Sequence, residues 1–228
     1  MKTVIHHISD THCLAASLKL PDNIDILIHS GDASNSKMKF ANEVEMLDFL
    51  NWYEKAPAKY KIFVAGNHDT SVEKNLITRK DFESAGIIYL ENSSTEVLGF
   101  NIFGTPVTPS YGEGWAFNKK RDKMHEIWDK VPEDTDIIIS HGPPKGILDL
   151  SLDRDNRLEQ CGDLSFRKCT DRIKPKLVCF GHIHNHKGCL NSGYTKLSDM
   201  DTIFSNGTCV VDGKFDLGLT SYGNTFEL

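Results

Sequence analysis

No stretch of this 228-residue sequence is apolar over the length needed to cross a bilayer. The N-terminal run M-K-T-V-I-H-H is broken by two histidines before it could form a signal-peptide core. We therefore expect no membrane span, no secretion and a cytoplasmic location. C-x-x-C pairs are also missing. Cys13, Cys161, Cys169, Cys179, Cys189 and Cys209 lie far apart, which excludes the spacing of a structural zinc site or a dithiol redox motif and leaves reduced thiols. N-S-S at Asn92 and N-G-T at Asn206 then read as chance matches to a glycosylation pattern. Nor is there a lysine and arginine stripe. With a formal charge of -6 the chain repels a polyanion on average, so long nucleic acid is not expected as a partner. Internal repeats, low-complexity tracts and linkers are absent, and one domain over 1–228 is expected.

What is present is an alternation of short β-branched runs with helical patterns, the mark of strands joined by helical crossovers. Strands are expected at about 3–8, 24–29, 61–65, 87–90, 96–98, 101–103, 136–140 and 177–180, with hairpin strands near 194–197, 202–205 and 209–211 closing the chain. Helices are expected over about 40–55, 79–85 and 120–130. In the first of them Phe40, Val44, Leu47 and Leu50 or Asn51 recur at helical spacing and are expected to pack on the sheet. The segment 104–118, G-T-P-V-T-P-S-Y-G-E-G-W-A-F-N, reads as a surface loop, open to a binding role or to packing by its own side chains.

Asp10, His12, Asp32, Asn67, His68, His141, His182 and His184 each follow an expected strand. In open sheets with helical crossovers the carboxyl ends of the strands share one rim, so five segments would converge on one pocket. Aspartate, histidine and asparagine offer donors that suit manganese, iron, cobalt, nickel and zinc. D-x-H and H-x-H each place two donors on one side of an extended segment. A single Asp32 carboxylate could bridge two ions, and ions about 3.5–4 Å apart can hold both a hydroxide and a phosphoryl oxygen. Taken singly, D-T-H can be a turn or a cap, G-D is ubiquitous and H-x-H can mark a strand edge. G-N-H-D and G-H-I-H are more restrictive, and five motifs in one order point to a metal site.

In that order, D-T-H, G-D, G-N-H-D, H and G-H-I-H, the sequence resembles the calcineurin-like metallophosphoesterase superfamily over nearly its whole length. L-K-L-P, I-H-S-G-D-A-S-N, W-A-F-N with Arg121 after it, I-I-I-S-H-G-P-P-K-G-I-L-D and V-C-F-G-H-I-H are similar to the branch of metallophosphoesterase-domain proteins. The resemblance implies an α/β fold in four layers, two central mixed sheets flanked by helices, with the site at the strand C-terminal ends. It implies two divalent ions, one held by Asp10, His12 and His184, the other by Asn67, His141 and His182, with Asp32 bridging. A hydroxide held between the ions would attack phosphorus. His68 would stand beside them to protonate the leaving oxygen or stabilise charge, and Asn67 and His68 would meet the substrate. Many members carry a carboxylate three residues after the bridging aspartate to orient that histidine, and here the position is Asn35. Its amide oxygen is expected to accept from His68 without supplying charge, which makes a weaker proton donor. Asp69 is expected to brace the loop.

The serine/threonine protein phosphatases of this superfamily carry G-D-x-x-D-R-G and G-N-H-E. G-D-A-S-N-S-K and G-N-H-D lack the arginine that would grip a phosphoprotein monoester. Repair nucleases add a DNA-binding domain, for which no length remains. The expected activity is hydrolysis of small phosphodiesters such as cyclic nucleotides, with Tyr111, Trp115 and Phe117 over the rim and Trp115 facing a base. The alternatives are a phosphomonoesterase or protein phosphatase of the same superfamily, or a catalytically weak nucleotide-binding scaffold. His6 and His7 are expected to be satisfied core or face residues and His29 a structural hydrogen-bonding residue. His125 and His186 are expected to face solvent, and Cys13 to be a packed thiol turned away from His12.

Overall fold

Two short, largely buried runs, V-I-H-H-I and I-D-I-L-I-H, start the first sheet. Strand β1 (Val4–Ile8) pairs in parallel with β2 (Ile24–His29), and β2 with β3 (Ala58–Phe63). Helix α1 (Lys39–Glu54) crosses from β2 to β3, and α2 (Thr70–Glu73) and α3 (Arg79–Ser84) lead to β4 (Ile88–Tyr89) on the far edge. The second sheet begins with the hairpin of β5 (Ser93–Val97) and β6 (Phe100–Thr105). After the short helix α4 (His125–Trp128), β7 (Ile137–Ser140) lies parallel to β6. Helix α5 (Leu164–Ile173) then leads to β8 (Leu177–Phe180), parallel to β7. Strands β9 (Gly193–Lys196) and β10 (Ile203–Asn206) complete this sheet, and β11 (Asn224–Glu227) returns to pair antiparallel with β1. The strand orders are β11-β1-β2-β3-β4 and β9-β10-β8-β7-β6-β5. This computed structural model describes residues 2–153, 155–186, 188–211 and 218–228.

Alternation along each strand sets the layers. Ile26, Ile28, Ile62, Ile102, Ile137, Ile139, Leu177 and Cys179 face one another between the two sheets. Their neighbours Leu27 and Phe63 turn outward against Met46, Phe49 and Tyr53 of α1 and Phe82 of α3. On the other side Phe103, Ile138, Val178 and Phe204 pack against Trp128 of α4 and Phe166 of α5, whose rings stack at 3.9 Å. The result is the expected four layers, with mixed sheets inside and helices outside.

Three expectations are corrected. Helix α1 forms where expected, but Phe40, Val44 and Leu47 are exposed at 76%, 57% and 48%. The buried face is Asn42, Met46, Phe49, Leu50 and Tyr53, because the Tyr53 hydroxyl lies 2.9 Å from the carbonyls of both Leu27 and Ile62 and fixes the helix rotation. The helix expected over about 120–130 is a 3₁₀ turn (Arg121–Lys123) followed by the single turn of α4. The chain does not close on hairpin strands near 209–211, since β11 follows them, and α5 and the Leu150–Leu152/Leu158–Gln160 hairpin were not expected at all. Among the described residues no helix is long and apolar enough to cross a membrane.

Candidate metal centre

Parallel pairing brings the polar motifs to one rim. Asp10 and His12 follow β1, Asp32 follows β2, Asn67 and His68 follow β3, His141 follows β7, and His182 and His184 follow β8. Their ligand atoms form three groups, Asp10–His12–His184, His12–Asp32–His68 and Asp32–His141–His182, each with its atoms within 4.8 Å of one another. Asp32 is at the centre. Its Oδ2 lies 3.3 Å from His141 Nε2, 3.8 Å from His12 Nε2 and 3.9 Å from His68 Nε2. Asn67 Oδ1 is 2.9 Å from His141 Nε2, and Asp10 Oδ1 is 3.2 Å from His184 Nε2.

The backbone is left-handed at four of these positions, with φ of 50° at Asp10, 39° at His12, 57° at Asp32 and 70° at His182. Such a conformation costs a non-glycine residue about 1–3 kcal/mol and persists only where the surroundings hold it. Here buried side chains hold it. One oxygen of Asp69 accepts the N–H groups of Asp32 and Gly66 at 3.0 and 2.7 Å, and the other accepts the Ser34 N–H and hydroxyl at 3.0 and 2.7 Å. Asp10 accepts the Thr208 hydroxyl at 2.6 Å and the His182 N–H at 3.0 Å. A Cβ at Gly66 would strike the Asp32 carboxylate and one at Gly181 the Asp10 carboxylate, which is why G-N-H-D and G-H-I-H each begin with glycine.

Burial opposes ionisation of both carboxylates, yet charge overrides it. The hydrogen bond and charge of His184 hold Asp10 below the usual carboxylate range, and the charges of His141 and His68 do the same for Asp32. Burial would lower His141, but the Asp32 carboxylate pushes it up to about 9. Burial prevails at His12 and His182, which fall to about 4 and about 3 and so keep the neutral, ligating form of imidazole. Burial and the Asp32 charge raise Asp69 to about 6.

This donor set fits divalent ions. His141 Nδ1 donates to the Ser30 carbonyl at 2.9 Å, the outer contact that leaves Nε2 for a metal. His12 and His184 turn Nε2 atoms toward each other at 3.3 Å, an approach that needs a proton or a cation between two lone pairs.

Other expectations meet a different geometry. His68 Nδ1 lies 3.1 Å from the main-chain carbonyl of Asn35, so the peptide oxygen takes the place expected for the side-chain amide. Trp115 lines a cleft of about 580 Å³ above the rim. Its ring is engaged by His68, 4.6 Å between centroids, and by the Lys37 ammonium, 3.5 Å from the ring centre, and is not a bare platform. Tyr111 lines the same cleft, 5.2 Å from the His182 ring, but Phe117 is buried in the α1 core with its N–H bonded to Glu73. His6, His7 and His29 are buried with both ring nitrogens bonded, and His125 is exposed. His186 is not solvent-facing at its polar atoms, since both nitrogens are buried without a partner. Cys13 is exposed rather than packed, because a left-handed φ of 68° breaks the alternation that would turn it inward.

Sequence reasoning missed Asn42, Glu45 and Thr208. Asn42 is buried under the site loops, donating to Ser34 Oγ, the Ser36 carbonyl and the His68 carbonyl and accepting the Ser71 N–H. The available signal was a polar residue four before Met46 on the buried stripe of α1.

Residues 3–186 match the family model for calcineurin-like phosphoesterases. The chain is 33% identical over 211 residues to metallophosphoesterase domain-containing protein 1 of Homo sapiens, covering 82% of this chain and 62% of that protein. It thus spans under two thirds of the human relative's length. A UPF0046 protein of Caenorhabditis elegans is 32% identical over 202 residues, covering 82% of this chain and 66% of that protein. A probable rhamnogalacturonate lyase C of Emericella nidulans is 36% identical over 196 residues, but these are 17% of its length. Among solved structures, TT1561 of Thermus thermophilus aligns with a TM-score of 0.58 at 13% identity, over 90% of this chain and 89% of that one, a likeness of fold.

Proposed function

Because the chain belongs to the calcineurin-like phosphoesterase family, whose members use a dinuclear divalent metal centre, we propose that it is a metal-dependent phosphoesterase that prefers small phosphodiesters, cyclic nucleotides among them. In this reading Asp10, His12 and His184 hold one ion, Asn67, His141 and His182 the other, and Asp32 serves both. When bound, the ions supply Lewis acidity toward the phosphoryl group and a nucleophile active at neutral pH. The chain's own residues do the rest. Asp69 and Thr208 keep Asp32 and Asp10 in place. His68 donates Nδ1–H to the Asn35 carbonyl and turns Nε2 to the Asp32 side; as the imidazolium, with both nitrogens protonated, it passes the Nε2 proton to the leaving oxygen and is left as the neutral Nδ1–H ring. Tyr111 and Trp115 border the cleft on the substrate side.

The observation that carries the diester preference is charge. Arg121 borders the cleft, but its guanidinium donates to the carbonyls of Gly162 and Cys161 at 2.9 and 3.1 Å. Lys145, the other cationic residue on that wall, is exposed. A monoester dianion demands positive charge beyond the two ions, whereas a diester monoanion is stabilised by the ions alone. The test compares kcat/KM for bis-p-nitrophenyl phosphate and p-nitrophenyl phosphate in the same metal, then for 3′,5′- and 2′,3′-cyclic nucleotides. The diester is expected to be turned over more efficiently. A strong monoester preference would overturn the diester reading, and full metal loading without turnover of any ester would favour a binding scaffold.

A further inference from the structure

A carboxylate on the second turn of α1 reaches His68 without touching it. Glu45 Oε2 accepts the N–H groups of Asn35 and Ser36, each at 2.8 Å. The Ser36 N–H belongs to the same peptide group as the Asn35 carbonyl, and that carbonyl lies 3.1 Å from His68 Nδ1. A carbonyl oxygen only accepts, so His68 presents Nδ1–H there and Nε2 is left on the side of Asp32 Oδ2, 3.9 Å away. Glu45, the Asn35–Ser36 peptide and His68 therefore form one continuous chain of hydrogen bonds. A carboxylate at the N–H end of a peptide group polarises its carbonyl, so each bond in such a chain strengthens the next. The main chain on either side of this contact is fixed as well. Asn42 donates to the Ser36 carbonyl at 2.7 Å and to the His68 carbonyl at 2.8 Å. Lys37, next in the chain, lies over Trp115, whose ring flanks His68.

We propose that Glu45 is a positioning residue for His68, acting through the Asn35–Ser36 peptide to keep Nδ1–H on the neutral ring, so that Nε2 is the nitrogen that takes up a proton and delivers it to the leaving oxygen. The proposal rests on the reading of His68 as the proton donor, and its test separates the two. Long-range ¹H–¹⁵N correlation of the imidazoles, in metal-free and in zinc-loaded protein, reports the His68 tautomer, with assignment by comparison with His68→Gln. In its neutral form the wild-type ring should show Nδ1–H alone. Glu45→Ala should show a tautomer mixture, and Glu45→Gln, which keeps an acceptor for both N–H groups, should restore the single form. In kinetics Glu45→Ala should lose about tenfold or more in kcat with metal content and KM little changed, more for alkyl than for p-nitrophenyl leaving groups. Glu45→Gln should recover most of that loss. Glu45→Met, which keeps the side-chain volume but has no acceptor, gives the same test should the alanine variant not fold. An unchanged His68 tautomer in Glu45→Ala or Glu45→Met overturns the proposal. Equal loss across leaving groups in His68→Ala, with the tautomer shift in Glu45→Ala intact, overturns the acid role of His68 and leaves the positioning in place.

Discussion

Asp32 shows how much one side chain can settle. Its Oδ2 faces three imidazoles, and its backbone is left-handed under the grip of Asp69, so position and direction are fixed before any ion arrives. Asp32→Ala removes the contact common to both candidate ion positions. Activity should be abolished, and metal content by elemental analysis should fall at both positions. Two ions per chain with full activity would rule out the bridging role. Asp32 and the other proposed ligands were legible in the sequence because each directly follows a strand and carries a donor type of its own. Of their supports only Asp69 was anticipated, as a brace for the loop. Asn42, Glu45 and the Asn35 carbonyl act on or as main-chain groups, and every residue has the same main chain. A hydrogen bond to a peptide group leaves no residue type to find in the sequence.

Helix α1 marks the limit of periodicity as a guide. Its sequence carries two apolar stripes, Phe40–Val44–Leu47 and Met46–Phe49–Leu50–Tyr53, and helical spacing alone cannot say which one meets the sheet. The choice is made by groups a hydropathy pattern ignores, the Tyr53 hydroxyl between two sheet carbonyls and Asn42 beneath the site loops. The stability consequence is unequal. Phe49 is packed among His29, Tyr53 and Phe63, so Phe49→Ala should cost about 3–5 kcal/mol, while Phe40→Ala should stay within about 0.5 kcal/mol. Urea denaturation midpoints at constant slope measure both, and the reverse order would return the buried face to Phe40. Helix α5 escaped for a related reason. Only Phe166, Cys169 and Thr170 are buried in its ten residues, and its start depends on Asp163, which caps the Phe166 N–H at 2.6 Å. Strand β11 is four residues with one buried side chain, too short for alternation to register.

The two sheets are joined by a polar contact as well as by the apolar layer between them. His7 in β1 bonds Ser205 in β10 at 2.7 Å and Ser30 after β2 at 2.9 Å, so one imidazole ties the first sheet to the second behind the metal rim. His29, at the end of β2, bonds Thr11 and the Gly31 N–H within the first sheet. Burial pushes both rings down to about 3, against about 6.5 in an unfolded chain. The sign follows from proton counts. Above about pH 6.5 both states hold these rings neutral and neither ring makes stability depend on pH. Below it the unfolded chain takes up a proton at each ring while the folded chain does not, until pH approaches the folded values. Stability therefore falls as pH drops through this window, by up to about 1.4 kcal/mol per pH unit for each ring. Urea unfolding at pH 6, 5 and 4, in chelator so that metal uptake does not add its own protons, should give a steeper loss for wild type than for His7→Gln or His29→Gln. Each variant should lower the proton uptake on unfolding by close to one. Slopes equal to wild type in both variants would mean that these rings are not held neutral in the folded protein, and that its acid sensitivity arises among the carboxylates of the rim.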